Sequence, residues 1–195
     1  MIEYLCYNNF NREGHAAMDP YRQCPVYESE RYRLRLVAEG DAFALLPCYA
    51  NPSASVQASS EHCAYGYGSR TLEELQGFIR SWREAYRNRE FIRFAILETA
   101  SAMAIGTVEI FSMTKRMGVL RIDLPALHET GDTVAELLQT ADRFFKDFGC
   151  EVIATKFFPA AEGALRACGY APYPRRRGFQ RDGYWAKEAV YIYIA

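Results

Sequence analysis

The chain has no excess of charge of either sign: 23 Lys and Arg against 24 Asp and Glu leave a formal net charge of -1 over 195 residues. That balance excludes an overall electrostatic pull toward nucleic acid or an anionic membrane, so a ligand must be recruited by a local site. No stretch reaches the roughly 18 uninterrupted apolar residues of a membrane-spanning helix. The opening residues mix Glu3, Asn8, Asn9 and Arg12 with aromatics and lack the apolar run of a signal peptide. The six cysteines, Cys6, Cys24, Cys48, Cys63, Cys150 and Cys168, are scattered without a C-x-x-C pair and read as reduced thiols of a cytoplasmic protein. His15, His62 and His128 have no partner at metal-ligand spacing, so no metal is expected. No G-x-S-x-G element or Ser/His/Asp ordering points to hydrolysis. The run Arg175, Arg176, Arg177 reads as solvated in a chain of this net charge.

What is present fits one α/β domain. Half the residues are hydrophobic and 24% are charged, ordinary for a chain that buries a core. Residues 1–30 show no clean period and read as an N-terminal arm, leaving 31–195 as the domain. Alternation of Leu34 and Leu36 with Arg33 and Arg35 predicts a strand over 32–37. Asp41 is placed as the cap of a helix carrying Phe43, Leu45, Leu46 and Tyr49 and ending near Asn51-Pro52. Thr71 and Glu74 spell a capping box for a second helix, with Leu75, Phe78, Ile79, Trp82 and Tyr86 on one face. Strands are predicted over 91–97, 104–111 and 119–124, the last with Leu120, Ile122 and Leu124 on one face and Arg121 and Asp123 on the other. Leu137, Leu138, Ala141, Phe144, Phe145 and Phe148 recur at helical spacing up to Gly149. A strand over 151–157, a short helix ending at Gly169 and a terminal strand over 183–194 complete the order β-α-α-β-β-β-α-β-α-β. That order predicts a mixed sheet with helices on both faces.

The order and its residues resemble the GNAT acyltransferases, especially the branch that acetylates ribosomal-protein N-termini and small amines. The resemblance is carried by Glu30-Arg-Tyr-Arg-Leu-Arg-Leu with Asp41, Asn51-Pro52, Thr71-Leu-Glu-Glu, Phe94-Ala-Ile, Ile105-Gly-Thr-Val and Ala164-Leu-Arg-Ala-Cys-Gly-Tyr. It implies a GNAT-like α+β fold, acetyl-CoA as cosubstrate, no metal, an amine acceptor and direct acetyl transfer without a covalent enzyme intermediate. A homodimer is left open.

In that family the CoA pyrophosphate rests on the amides opening the helix after the fourth strand, where free N–H groups and the helix dipole meet. The loop is written Q/R-x-x-G-x-G/A, whereas this chain reads His128-Glu-Thr-Gly-Asp-Thr133 and keeps only Gly131. The implied cofactor contacts are Ile122, Leu124, Thr130, Gly131, Asp132, Thr133 and Val134, with a backbone N–H near Leu124 polarising the thioester. Glu129 and Asp132 oppose a phosphate, and Thr133 with Glu136 spells a capping box that would compete for the same amides. For the base, Glu109 faces opposite to Val108 and Ile110, with Asp123 one strand over; both have a plain alternative as charges on the sheet surface. The tyrosine that many relatives use as the acid is replaced by Leu165. Tyr65, Tyr67 and Tyr170 are the expected acceptor contacts. The alternative function is a GNAT-fold binding protein that no longer uses CoA.

Overall fold

The apolar-rich segments 91–97, 104–111 and 117–124 make the middle of one sheet in the computed structural model, which describes residues 19–50, 69–114, 117–156, 161–173 and 183–189. The strands are β1 (Tyr27–Glu28), β2 (Tyr32–Leu36), β3 (Phe91–Glu98), β4 (Ala104–Thr114), β5 (Met117–Asp123), β6 (Val152–Lys156), β7 (Ala171–Pro172) and β8 (Tyr184–Glu188). They lie in the order β1-β2-β3-β4-β5-β6-β8-β7. Every neighbouring pair is antiparallel except β5 and β6. A parallel pair needs a crossover, here α3 (Gly131–Ala141) followed by α4 (Arg143–Asp147). α1 (Ala42–Ala50) and α2 (Leu72–Arg87) precede β3, and α5 (Glu162–Ala167) follows β6.

Both faces of the central strands are covered, which is why β3 reads as a nearly continuous apolar run. Ile92, Phe94 and Ile96 enter a core with Leu137 and Leu138 of α3 and Phe144 of α4, while Ala95 and Leu97 meet Leu45, Leu75, Ile79 and Trp82 of α1 and α2. Thr71 caps α2 as expected: its hydroxyl accepts from Glu74 N at 3.2 Å, and the Glu74 carboxylate accepts from Thr71 N at 3.2 Å. Gly149 and Gly169, at φ 63° and 84°, stop their helices in the left-handed region that suits glycine.

Four local expectations differ. Part of the expected arm is ordered structure: Tyr27–Glu28 form β1, with Tyr27 in the core beside Phe94 and Phe144 and Glu28 opposite Arg33, and Asp19 bonds Arg89, just past α2, at 2.8 Å. Asp41 sits in a 3-10 turn (Glu39–Asp41), where its carboxylate accepts from Ala38 N and from both terminal nitrogens of Arg35. The long helix breaks at Asp142, whose carboxylate is held at 2.7 Å by Lys187 of β8. Thr133 and Glu136 do not form a capping box. Thr130 is the N-cap of α3, and Glu136 instead accepts from Ser29 Oγ, Arg31 N and Arg31 Nε. The three-residue spacing is shared by Thr130 and Thr133, and the β1-β2 turn supplies stronger partners for Glu136 than its own helix does.

Candidate active site

Strand register builds the first half of the site. Arg93 of β3 stands opposite Glu109 of β4, and Glu109 opposite Arg121 of β5, while Thr107 lies across from Asp123 one row on. Period-two alternation puts all five side chains on the face covered by α1 and α2. The row therefore runs plus, minus, plus across three strands, the favourable cross-strand pattern. It is buried: Arg93 is 0% exposed, Asp123 4%, Glu109 5% and Arg121 6%. The alternative reading of Glu109 and Asp123 as surface charges is thus corrected; helices cover the face the alternation assigns to them.

Burial of charge demands partners. Arg93 gives Nη2 to Glu109, and its Nη1 reaches Asp123 Oδ2 at 2.8 Å and Tyr49 Oη and Thr107 Oγ1 at 3.1 Å. Tyr49, on α1, lies 2.6 Å from Thr107 Oγ1 and donates to Asp123 at 3.2 Å. Arg121 Nε holds the other Asp123 oxygen at 3.0 Å. The Arg93 guanidinium lies over the Trp82 ring of α2, 4.2 Å from its centroid. Burial alone would raise the Asp123 carboxyl, but Arg121 and Arg93 outweigh it and hold it below its ordinary value. Burial pushes the Tyr49 phenol well above its usual range, keeping it protonated.

The second half is the C-terminal end of β5 beside a helix start. β5 stays paired with β4 as far as Asp123, yet its pairing with β6 stops at Leu120 opposite Thr155. Arg121, Ile122 and Asp123 have no partner strand on that side among the described residues. Gly106 allows the β4 approach here, since a Cβ on it would collide with the Asp123 carbonyl oxygen and lie 2.9 Å from Leu124 Cδ2. The chain then passes through a 3-10 turn (Ala126–His128) into α3. Thr130 Oγ1 accepts from Thr133 N at 3.2 Å, and the Thr133 hydroxyl, 3.0 Å from Tyr32 Oη, ties this cap to β2. The amides of Gly131 and Asp132 make no hydrogen bond among the described residues, and both residues are exposed. A helix start with two such donors fits a phosphate, and the Asp132 carboxylate in the same turn opposes one.

Of the sequence-predicted residues, Glu109 and Asp123 meet in one network. Ile122 and Leu124 point to the opposite face with Val134. Thr130, Gly131, Asp132 and Thr133 form the α3 start. Tyr170 is buried against the α3 side of the sheet with Leu165 and Trp185, and burial raises its phenol. Tyr65 and Tyr67 lie outside the described residues. Sequence reasoning did not place Arg93, Tyr49 and Thr107 in this network. Arg93 carried a signal, a lone cation inside the apolar string Phe91 to Leu97.

Carboxyls held down in the fold tie stability to pH. Asp123 is joined by Asp19 and Glu136, where burial is outweighed by hydrogen bonds from Arg89 and from Ser29 and Arg31. Their folded pKa values lie below the unfolded ones, so their contribution is fully present above about pH 4 and is lost as pH falls through the folded values. Urea midpoints are expected to be level between about pH 7 and 5 and to drop below about pH 4. A midpoint that rises on acidification contradicts this assignment.

This architecture is the GNAT acetyltransferase fold. Ribosomal-protein-S5-alanine acetyltransferase from Vibrio fischeri superposes with TM-score 0.62 at 18% identity, over 85% of this chain and 97% of that one. Spermidine N-acetyltransferase from Vibrio cholerae, solved with CoA and spermine, gives 0.63 at 16% identity, over 83% and 97%. A ribosomal L7/L12 alpha-N-protein acetyltransferase in complex with coenzyme A gives 0.64 at 12% identity, over 84% and 98%. No protein-family model and no curated protein matches the sequence.

Proposed function

We propose that the chain is an N-acyltransferase that moves an acetyl group from acetyl-CoA to a primary amine, either a small molecule or a protein N-terminus. The observation that carries this reading is the end of the β5-β6 pairing at Leu120 among the described residues, followed by a helix whose Gly131 and Asp132 amides are unbonded among them. In this reading the pyrophosphate lies on those amides and the pantetheine follows β5, with Ile122 and Leu124 beside it. The amine nitrogen attacks the thioester carbonyl, the new C–N bond replaces C–S, and CoA leaves as the thiol with the proton that the amine gives up. Glu109 and Asp123, buried and paired with Arg93 and Arg121, lie behind β5 and hold the strand that carries the cofactor in this reading. The fold likeness to enzymes solved with CoA, one of them also with spermine, supports this assignment.

A second reading, a GNAT-fold binding protein that no longer uses CoA, is favoured by the Asp132 carboxylate at the α3 start. One experiment separates the two. Acetyl-CoA is incubated with spermine or with a peptide bearing a free α-amine, and thiol release is followed in wild type and in the double variant Glu129→Gln, Asp132→Asn. Each removed carboxylate relieves about 1 kcal/mol of repulsion in water, so the KM for acetyl-CoA is expected to fall roughly fivefold per charge. Absence of thiol release together with absence of acetyl-CoA binding in both proteins supports the second reading.

A further inference from the structure

Arg93 touches more of the site than any carboxylate does. Its guanidinium meets β4 at Glu109 and Thr107, β5 at Asp123, α1 at Tyr49 and α2 at Trp82. These contacts bring together β5, whose pairing with β6 ends at Leu120 among the described residues, the strand bearing the candidate base and the C-terminal turn of α1. A planar guanidinium sends donors from two separate nitrogens to two carboxylates in a fixed geometry, whereas an ammonium offers all its donors from one point on a flexible stem. Its full burial fixes the fork, because solvent cannot exchange for any of these partners.

We infer that Arg93 is a positioning residue of the candidate active site, holding Glu109 and Asp123 in place relative to β5 and to each other through one buried guanidinium. The inference rests on the acetyl-transfer reading for its kinetic consequence but not for its geometry. With Arg93 in place, the two carboxylates keep fixed separations from the C-terminal end of β5, and Tyr49 is drawn into the same cluster, so α1 and β5 move as one body. The charged and titratable groups around Asp123 are Arg93 on β3, Glu109 on β4, Arg121 on β5, and Tyr49 and Cys48 on α1; Glu129 in the β5-α3 connection lies near Cys48. Two of these are cations, and loss of the Arg93 fork leaves Arg121 as the cation bonded to Asp123.

The test is Arg93→Lys, which keeps the charge and removes the fork. Two quantities are read: the pH profile of kcat/KM for thiol release from acetyl-CoA with spermine or the α-amine peptide, and the titration of the Asp123 carboxyl by 13C NMR, assigned by its loss in Asp123→Asn. The expected result is a kcat/KM lowered about tenfold or more per folded molecule, an acid limb moved to higher pH, and an Asp123 midpoint moved the same way. A variant that melts lower but keeps the wild-type kcat/KM per folded molecule and the wild-type pH profile overturns the inference, because a residue that only supports the fold changes the amount of folded protein and not the chemistry of each folded molecule. The NMR readout needs no turnover: an Asp123 midpoint unchanged in Arg93→Lys overturns the inference even where wild type releases no thiol, an outcome that counts against acetyl transfer alone. Should the lysine variant not fold, Arg93→Met combined with Glu109→Gln removes one cation and one anion together and carries the same readout at Asp123.

Discussion

Arg93→Met is expected to lower the unfolding free energy by about 3–5 kcal/mol, the cost of leaving a buried charge without its counter-ion. For a domain of this length that corresponds to a fall in melting temperature on the order of 10 °C. The size follows from where the charges lie. Glu109 is 5% exposed and receives Arg93 directly, so truncation strands a carboxylate in a site that water does not reach. The indole of Trp82 also loses the cation over its ring. The ion pair of Arg80 with Glu39 is the control: both side chains are more than half exposed, at 56% and 51%, and Arg80→Ala is expected to cost at most about 1 kcal/mol. Adding Glu109→Gln to Arg93→Met should return part of the loss, since removing both charges avoids the unpaired one. Thermal unfolding of the set checks the account, and an Arg93→Met loss no larger than that of Arg80→Ala contradicts it.

Gly106→Ala is the second large effect. The added methyl would overlap the Asp123 carbonyl oxygen, a backbone atom that cannot swing aside, and crowd Leu124 Cδ2. Relief requires β4 and β5 to separate near the C-terminal end of β5, costing about 3 kcal/mol on the scale of overpacked cores. Because Ile122 and Leu124 ride on that segment, acetyl-CoA binding should weaken along with stability. Gly163→Ala offers the contrast, with nothing within 4 Å of its added carbon and a helical backbone around it, and is expected to leave stability level or raise it by about 0.5–1 kcal/mol. Urea unfolding of the two variants beside wild type makes the comparison; equal effects would mean the β4-β5 approach is not tight.

Much of the fold was legible because its signals are local. The Thr71-Glu74 cap, the spacing of Leu137 to Phe144 and the stops at Gly149 and Gly169 each depend on a few neighbouring residues. The site was legible only in part because it is made by register. Alternation assigns Glu109 a face, but the pairing of Arg93 with Glu109 and of Glu109 with Arg121 depends on the β3-β4 and β4-β5 turns, and on the irregularities between Ile96 and Leu97 and between Ser112 and Thr114. Period alone cannot place those irregularities. Tyr49 was readable as an apolar residue of α1, yet its hydroxyl acquires a role only once α1 is laid across Thr107 and Asp123. Thr133 and Glu136 show the converse, a correct local spelling overridden when the distant Ser29 and Arg31 claim Glu136. Tyr170 reads as a polar-tipped aromatic fit for a pocket, but its place after Gly169 turns it into the core.

The central claim is that the start of α3 receives the phosphates of acetyl-CoA on backbone amides. Gly131→Pro isolates it. Gly131 is the first residue of α3, a position that accepts proline, and Thr130 before it is already extended at φ -97° and ψ 154°, as a residue preceding proline should be. The space around Gly131 is open, with nothing within 4 Å of an added Cβ. The substitution therefore removes one N–H and leaves the helix standing. Calorimetric titration of acetyl-CoA into wild type and Gly131→Pro is predicted to give saturable one-to-one binding by wild type and about tenfold or weaker binding by the variant at an unchanged melting temperature. Equal affinity in the two proteins, or no binding by wild type at millimolar acetyl-CoA, would contradict it.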